Sequence, residues 1–146
     1  MKDVHIVLGC IAIGLNAAAG VWGAWCYWRT EPSGWFWRLL RAGQASILVT
    51  VVLGGVLLLL GHKAPDLHYI YGLLPLLVSF IAEQLRLASA QMILDSRGFE
   101  NAAAVGRLPK DEQQLVVRSI VLREMGVMAL SALVILVLLI RAAGTA

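Results

Sequence analysis

All three histidines of the chain, His5, His62 and His68, stand beside the ends of apolar runs, with Asp3 and Asp66 close by and Tyr71 just beyond the last. Imidazoles and carboxylates grouped in this way can ligate a divalent metal, and two imidazoles from different helices can hold a haem iron. Tyr71 adds an amphipathic ring suited to a quinone approaching from the same side. The plainer role for the same residues is hydrogen bonding where an apolar helix meets water. No HExxH, HxH or CxxC spacing ties the histidines into one site, and a turn containing Pro65 separates His62 from His68.

A second constellation centres on Glu83. At steps of three or four residues His68, Gly72, Pro75, Ser79, Glu83 and Arg86 share one helical face, opposite an aliphatic surface. Counted from Leu67 at about 1.5 Å per residue, Glu83 lies some 24 Å along its helix, a depth that Arg41, Gln44, Arg123 and Glu124 also reach on neighbouring apolar segments. A carboxylate within an apolar layer marks either a proton or ion path or a charge-paired clamp. With arginines at hand, the expectation is a buried polar clamp of Arg41, Gln44, Glu83, Arg86, Arg123 and Glu124. No phosphate-cradling glycine loop, nucleophile elbow or metalloprotease helix occurs, so a non-enzymatic role is expected.

The elements that must carry these groups follow from composition. The chain has 146 residues, 60% apolar and 14% charged, where a soluble domain averages about 25% charged. Four apolar segments, about 4–27, 42–61, 67–88 and 121–140, each match the ~20 residues that cross a ~30 Å hydrocarbon layer. The expected fold is all-α: an integral membrane four-helix bundle forming one domain over residues 1–146. Ala17 and Ala19 have the spacing of a leader-cleavage site, but the apolar run continues past them through "GVWGAWCYW", so the first segment is read as a span. Cys10 and Cys26 fall about 24 Å apart along that helix, too far to pair, and are read as apolar fillers.

Charge sets the expected orientation. One side holds Lys2, Lys63 and Arg141, and the other holds Arg29, Arg38, Arg41, Arg86, Arg97, Arg107, Lys110, Arg118 and Arg123. By the positive-inside rule both termini face outward and the arginine-rich side faces the cytoplasm of a multi-pass protein in the cell membrane. The net charge of +3 thus reports topology, and no nucleic-acid partner is required. Trp22, Trp25, Tyr27, Trp28, Trp35, Phe36 and Trp37 crowd the first cytoplasmic turn, as an interfacial aromatic belt does.

Local signals refine the helix ends. Ser33 can cap a helix starting near Trp35, Asp66 can cap the third, and Pro75 should bend it. The third helix should run on to Gly98, and the fourth should start early near Pro109, with Asp111 and Glu112 at its positive end. Helices three and four then extend into the cytoplasm as a hairpin over about 89–120, with Leu85, Met92, Ile93, Leu115, Val116 and Ile120 as its apolar seam. Small residues Ala12, Asn16, Gly20 and Ala24 on helix one, Gly54 and Gly55 on helix two and Gly72 on helix three should allow close approach, with Asn16 bonding across an interface.

The expected function is an accessory or assembly subunit of a membrane complex, in contact with the lipid bilayer and with a membrane-protein partner or a second copy. The competing readings are a haem-, metal- or quinone-binding redox protein using His5, His62, His68 and Tyr71, and a minimal transporter or proton-conducting oligomer using Glu83.

Overall fold

The computed structural model describes residues 1–146; 84% of the chain is helical and no strand is present. In chain order the elements are α1 (Lys2–Trp28), α2 (Gly34–Leu59), α3 (Asp66–Ser96), the single turn α4 (Ala102–Val105) and α5 (Lys110–Ala143). The four long helices are long and apolar enough to cross a membrane. α3 and α5, at 31 and 34 residues, are about 46 and 51 Å long and overshoot a ~30 Å layer. Only 25 of 146 residues are buried, while Val21, Leu59, Phe80 and Leu130 are among the many large apolar side chains left exposed. An apolar surface of this extent exceeds what a water-soluble monomer carries.

The helices pack unequally. α1 lies against both α2 and α5, α3 lies chiefly against α5, and α2 and α3 touch only sparsely. The first and last long helices therefore form the centre. Their contact depends on small residues: a Cβ added at Gly20 would meet Leu133 Cδ2 at 2.6 Å, and one at Gly23 would run into the Phe36 ring of α2 and meet Ala129 Cβ of α5 at 2.8 Å. Phe36, Leu40, Met125, Met128, Ala129 and Ala132 form the larger core cluster with Ala19, and Ala12, Ile47, Ile135 and Leu139 form a second towards the termini.

Some small-residue expectations are corrected. The buried face of α1 is Ala12, Asn16, Ala19, Gly20, Gly23 and Cys26, and Ala24 is exposed. A strict step of four residues overshoots a 3.6-residue turn by about 40°, so it drifts off the interface within three steps. Gly72 and Gly55 have no neighbour where a Cβ would stand. Asn16 is fully buried against Gly43, but its Nδ2 donates to Ala12 O of its own helix at 2.8 Å instead of bonding across.

The helix ends follow local chemistry. Ser33 caps α2 by accepting from Phe36 N at 3.5 Å. Gly98, at φ +74°, closes α3: Gly98 N donates to Asp95 O at 3.0 Å and Phe99 N to Leu94 O at 2.9 Å, the paired bonds of a Schellman motif. Gly61 ends α2 in the same way. α1 ends with the same bonds around Thr30, whose φ of +54° is unusual for a β-branched residue. Arg118 Nη2 of α5 donates to Thr30 O at 2.8 Å, tying this turn to the hairpin.

Asp66 is not a cap. It is the first residue of α3, Pro65 occupies the cap position and no side chain caps the helix; Pro109 likewise precedes α5 as its cap residue. A proline immediately before a helix fixes the entry φ and leaves no site for a capping side chain. α3 continues through Pro75, which leaves Tyr71 O without its helical N–H donor, and Ser79 Oγ donates to Pro75 O at 2.8 Å.

The hairpin seam is also revised. Leu94, Val105 and Val116 form its core with Phe99, Leu108 and Ile120 around them, while Leu85, Met92 and Leu115 are exposed. The short α4, capped by Asn101 Oδ1 accepting from Ala104 N at 3.1 Å, supplies Val105 and draws the seam towards the tip. Phe36, expected in the aromatic belt, is instead fully buried in the core beside half-buried Trp37.

Candidate functional site

Two polar groups lie at opposite ends of the long helices. At the arginine-rich end, Glu83 of α3 faces Arg41 and Gln44 of α2. Arg41 donates to both carboxylate oxygens, Gln44 Nε2 donates to Oε1 at 3.1 Å, and Arg86 Nε donates to Oε2 at 3.0 Å. Arg41 Nη1 also donates to Gln44 Oε1 at 2.7 Å, so the α2 pair is itself coupled. Arg86 continues the chain through Nη1 to Glu124 Oε2 of α5 at 3.2 Å. Arginine and glutamate alternate as Arg41, Glu83, Arg86, Glu124, and two positive charges offset two negative ones.

The helical register explains the assembly. Glu83 and Arg86, three residues apart, share one face of α3, as Arg41 and Gln44 do on α2. The guanidinium of Arg86 also lies 5.9 Å from the Trp37 ring centroid, within cation–π range. Trp37 stands four residues before Arg41, one turn away on α2, and that spacing was the available signal for it. Arg123 is not part of the clamp: it is exposed and reaches Met92 Sδ at 3.9 Å. It neighbours Glu124 in sequence, and adjacent residues on a helix point about 100° apart.

At the end carrying both termini, His5 of α1 and His68 of α3 meet edge to face, with ring centroids 6.1 Å apart. His68 Nδ1 donates to Ala142 O of α5 at 2.9 Å. His5 packs over Gly54 of α2, where an added Cβ would meet His5 Cε1 at 3.1 Å, and its Nδ1 is buried without a partner. Residues from all four long helices thus meet around two imidazoles. The glycine seat and the Ala142 carbonyl are contributions that residue type alone does not reveal.

His62 is exposed just after α2, its backbone N donating to Leu57 O, and Tyr71 lies under Arg141 at 5.8 Å from its ring centroid. Tyr69 OH accepts from Ala64 N at 2.8 Å, bracing the α2–α3 turn. No group of three or more His, Cys, Asp or Glu side chains is arranged to hold a metal ion. The predicted ligand residues that come together are His5 and His68.

No family model, curated protein or solved structure matches the chain. The geometry of these two groups and of the surfaces around them therefore carries the functional reading.

Proposed function

We propose that the chain is a four-helix integral membrane protein of the cell membrane, a small non-enzymatic accessory or assembly subunit. Both termini face outward, and the far ends of α3 and α5 project into the cytoplasm as the 89–120 hairpin. The observation that carries this reading is the exposed apolar surface on that hairpin. Met92 and Leu115, 57% and 61% exposed, lie on the parts of α3 and α5 that overshoot the hydrocarbon layer, where water would otherwise meet them. A partner protein is the natural cover for such side chains.

The clamp supports the same reading. A carboxylate that moves protons must exchange them with water or a relay, whereas every oxygen of Glu83 is engaged by arginine or glutamine. The arrangement favours a fixed α2–α3–α5 crossing over a conducting path. Glu83→Gln should accordingly leave proton flux in liposomes unchanged; loss of a measurable flux would favour the transporter reading.

The second reading, a redox or ligand-binding protein, is favoured by the unpartnered Nδ1 of His5 beside His68. Purification in mild detergent from the native membrane separates the two. The subunit reading expects a stoichiometric partner that is lost from the Met92→Glu, Leu115→Glu double variant, and no visible chromophore. A Soret band or stoichiometric metal that disappears in His5→Phe would replace it.

A further inference from the structure

An open groove of about 540 Å³ runs along one face of α5, with Pro32 of the α1–α2 turn as its opposite wall. Lys110, Gln114, Val117, Arg118 and Val121 line it at helical spacing, and their order is graded. Lys110 lies farthest from the apolar span, Gln114 a turn nearer, Arg118 beside Val117 the next turn, and Val121 at the start of the apolar run. No carboxylate lines the groove. Glu31, next to Pro32, is held 3.9 Å from Arg29, and Glu112 lies in a separate groove with Arg97 and Phe99.

Several donors remain free. Lys110 has no hydrogen-bonded or ionic partner, Gln114 makes no side-chain hydrogen bond, and Arg118 commits only Nη2, to Thr30 O. That bond holds the guanidinium in place at the level where the helix surface changes from polar to apolar. We propose that this groove binds an anionic phospholipid of the arginine-side leaflet, with the phosphodiester on Arg118, the headgroup between Gln114 and Lys110, and an acyl chain running from Val121 along the apolar part of α5. A free phosphate ion would satisfy the cations but not the apolar floor, and an uncharged lipid the reverse. The graded charge therefore fits an anionic amphiphile. The assignment rests on the membrane placement of α5 proposed above.

The test uses the full-length protein reconstituted into phosphatidylcholine vesicles containing one-fifth phosphatidylglycerol, floated to show insertion, then extracted in mild detergent for native mass spectrometry of retained lipid. The expected result is one phosphatidylglycerol retained in preference to phosphatidylcholine, unaffected by millimolar inorganic phosphate. Retention should weaken about fivefold for each cation removed, in Lys110→Gln and in Arg118→Gln. Arg118→Gln also breaks the bond to Thr30, so Lys110→Gln, which removes no hydrogen bond or ion pair, is the decisive variant if the other fails to fold. Insertion without preference for phosphatidylglycerol, equal retention by Lys110→Gln, or displacement by inorganic phosphate would overturn the lipid site while leaving the membrane placement standing. Failure to float with the vesicles would overturn the placement itself.

Discussion

Glu83 and Arg86, three residues apart on α3, divide between them the two helices they face: Glu83 takes Arg41 of α2, and Arg86 reaches Glu124 of α5 at 3.2 Å. One turn of α3 thus fastens both neighbours. Because α2 and α3 otherwise touch so little, the carboxylate of Glu83 is the point on which their relative position depends.

Replacing Glu83 with Gln should therefore destabilise more than truncating Arg41. Glu83 is 25% exposed and accepts from three side chains, whereas Arg41 is 49% exposed and is one of two arginines on the same carboxylate. A loss of about 1.5–3 kcal/mol is expected for Glu83→Gln, the usual worth of hydrogen bonds to a charged group, and less for Arg41→Ala. Denaturant titration in mixed micelles measures both, and the reverse order would show that the clamp is not centred on Glu83.

Two glycines of α1 should respond in opposite senses to alanine. Gly23→Ala drives a methyl into Phe36 and Ala129, an overpacking expected to cost about 1–3 kcal/mol. Gly14→Ala meets no atom within 4 Å and gains helix propensity, a stabilisation of up to about 1 kcal/mol. Thermal unfolding of the two variants side by side checks the packing of α1 on α2 and α5.

Thr30→Gly should raise stability by about 1 kcal/mol, because Thr30 holds a left-handed conformation that glycine adopts freely. The bond from Arg118 goes to the backbone carbonyl and survives the change. A lowered melting temperature would mean that the threonine side chain contributes more than its backbone strain costs.

The two histidines are not equivalent. His68→Phe removes a bond to Ala142 O and should cost about 1 kcal/mol. His5→Phe removes a buried nitrogen that has no partner and should be neutral or stabilising, provided the larger ring fits over Gly54. Equal losses in the two variants would indicate that His5 Nδ1 has a partner in the membrane-embedded protein.

Much of this was legible in the chain itself. Apolar length set the four long helices, Ser33 and Gly98 set two of their ends, and helical depth brought Arg41, Gln44, Glu83, Arg86 and Glu124 to one level. What escaped depends on which helices are neighbours. Ala24 and Gly72 have the right size for an interface but face away from one. Arg123 has the right depth but the wrong azimuth, and Asp66 yields its cap position to the proline before it. His5 and His68 stand together because α1 and α3 both lean on α5, and no spacing along the chain encodes that.

The central pairing of α1 with α5 also orders the events of biogenesis. α1 is made well before α5, so Gly20, which faces Leu133, and the side of Gly23 that faces Ala129 have no permanent cover until α5 has emerged. On the membrane placement proposed above, α1 and α2 wait as a hairpin during that interval, and the chain is then most open to capture by an insertase or quality-control protease. A nascent chain stalled before α5 emerges should therefore be degraded, while one stalled on a C-terminal linker long enough to clear α5 from the ribosome should resist proteolysis.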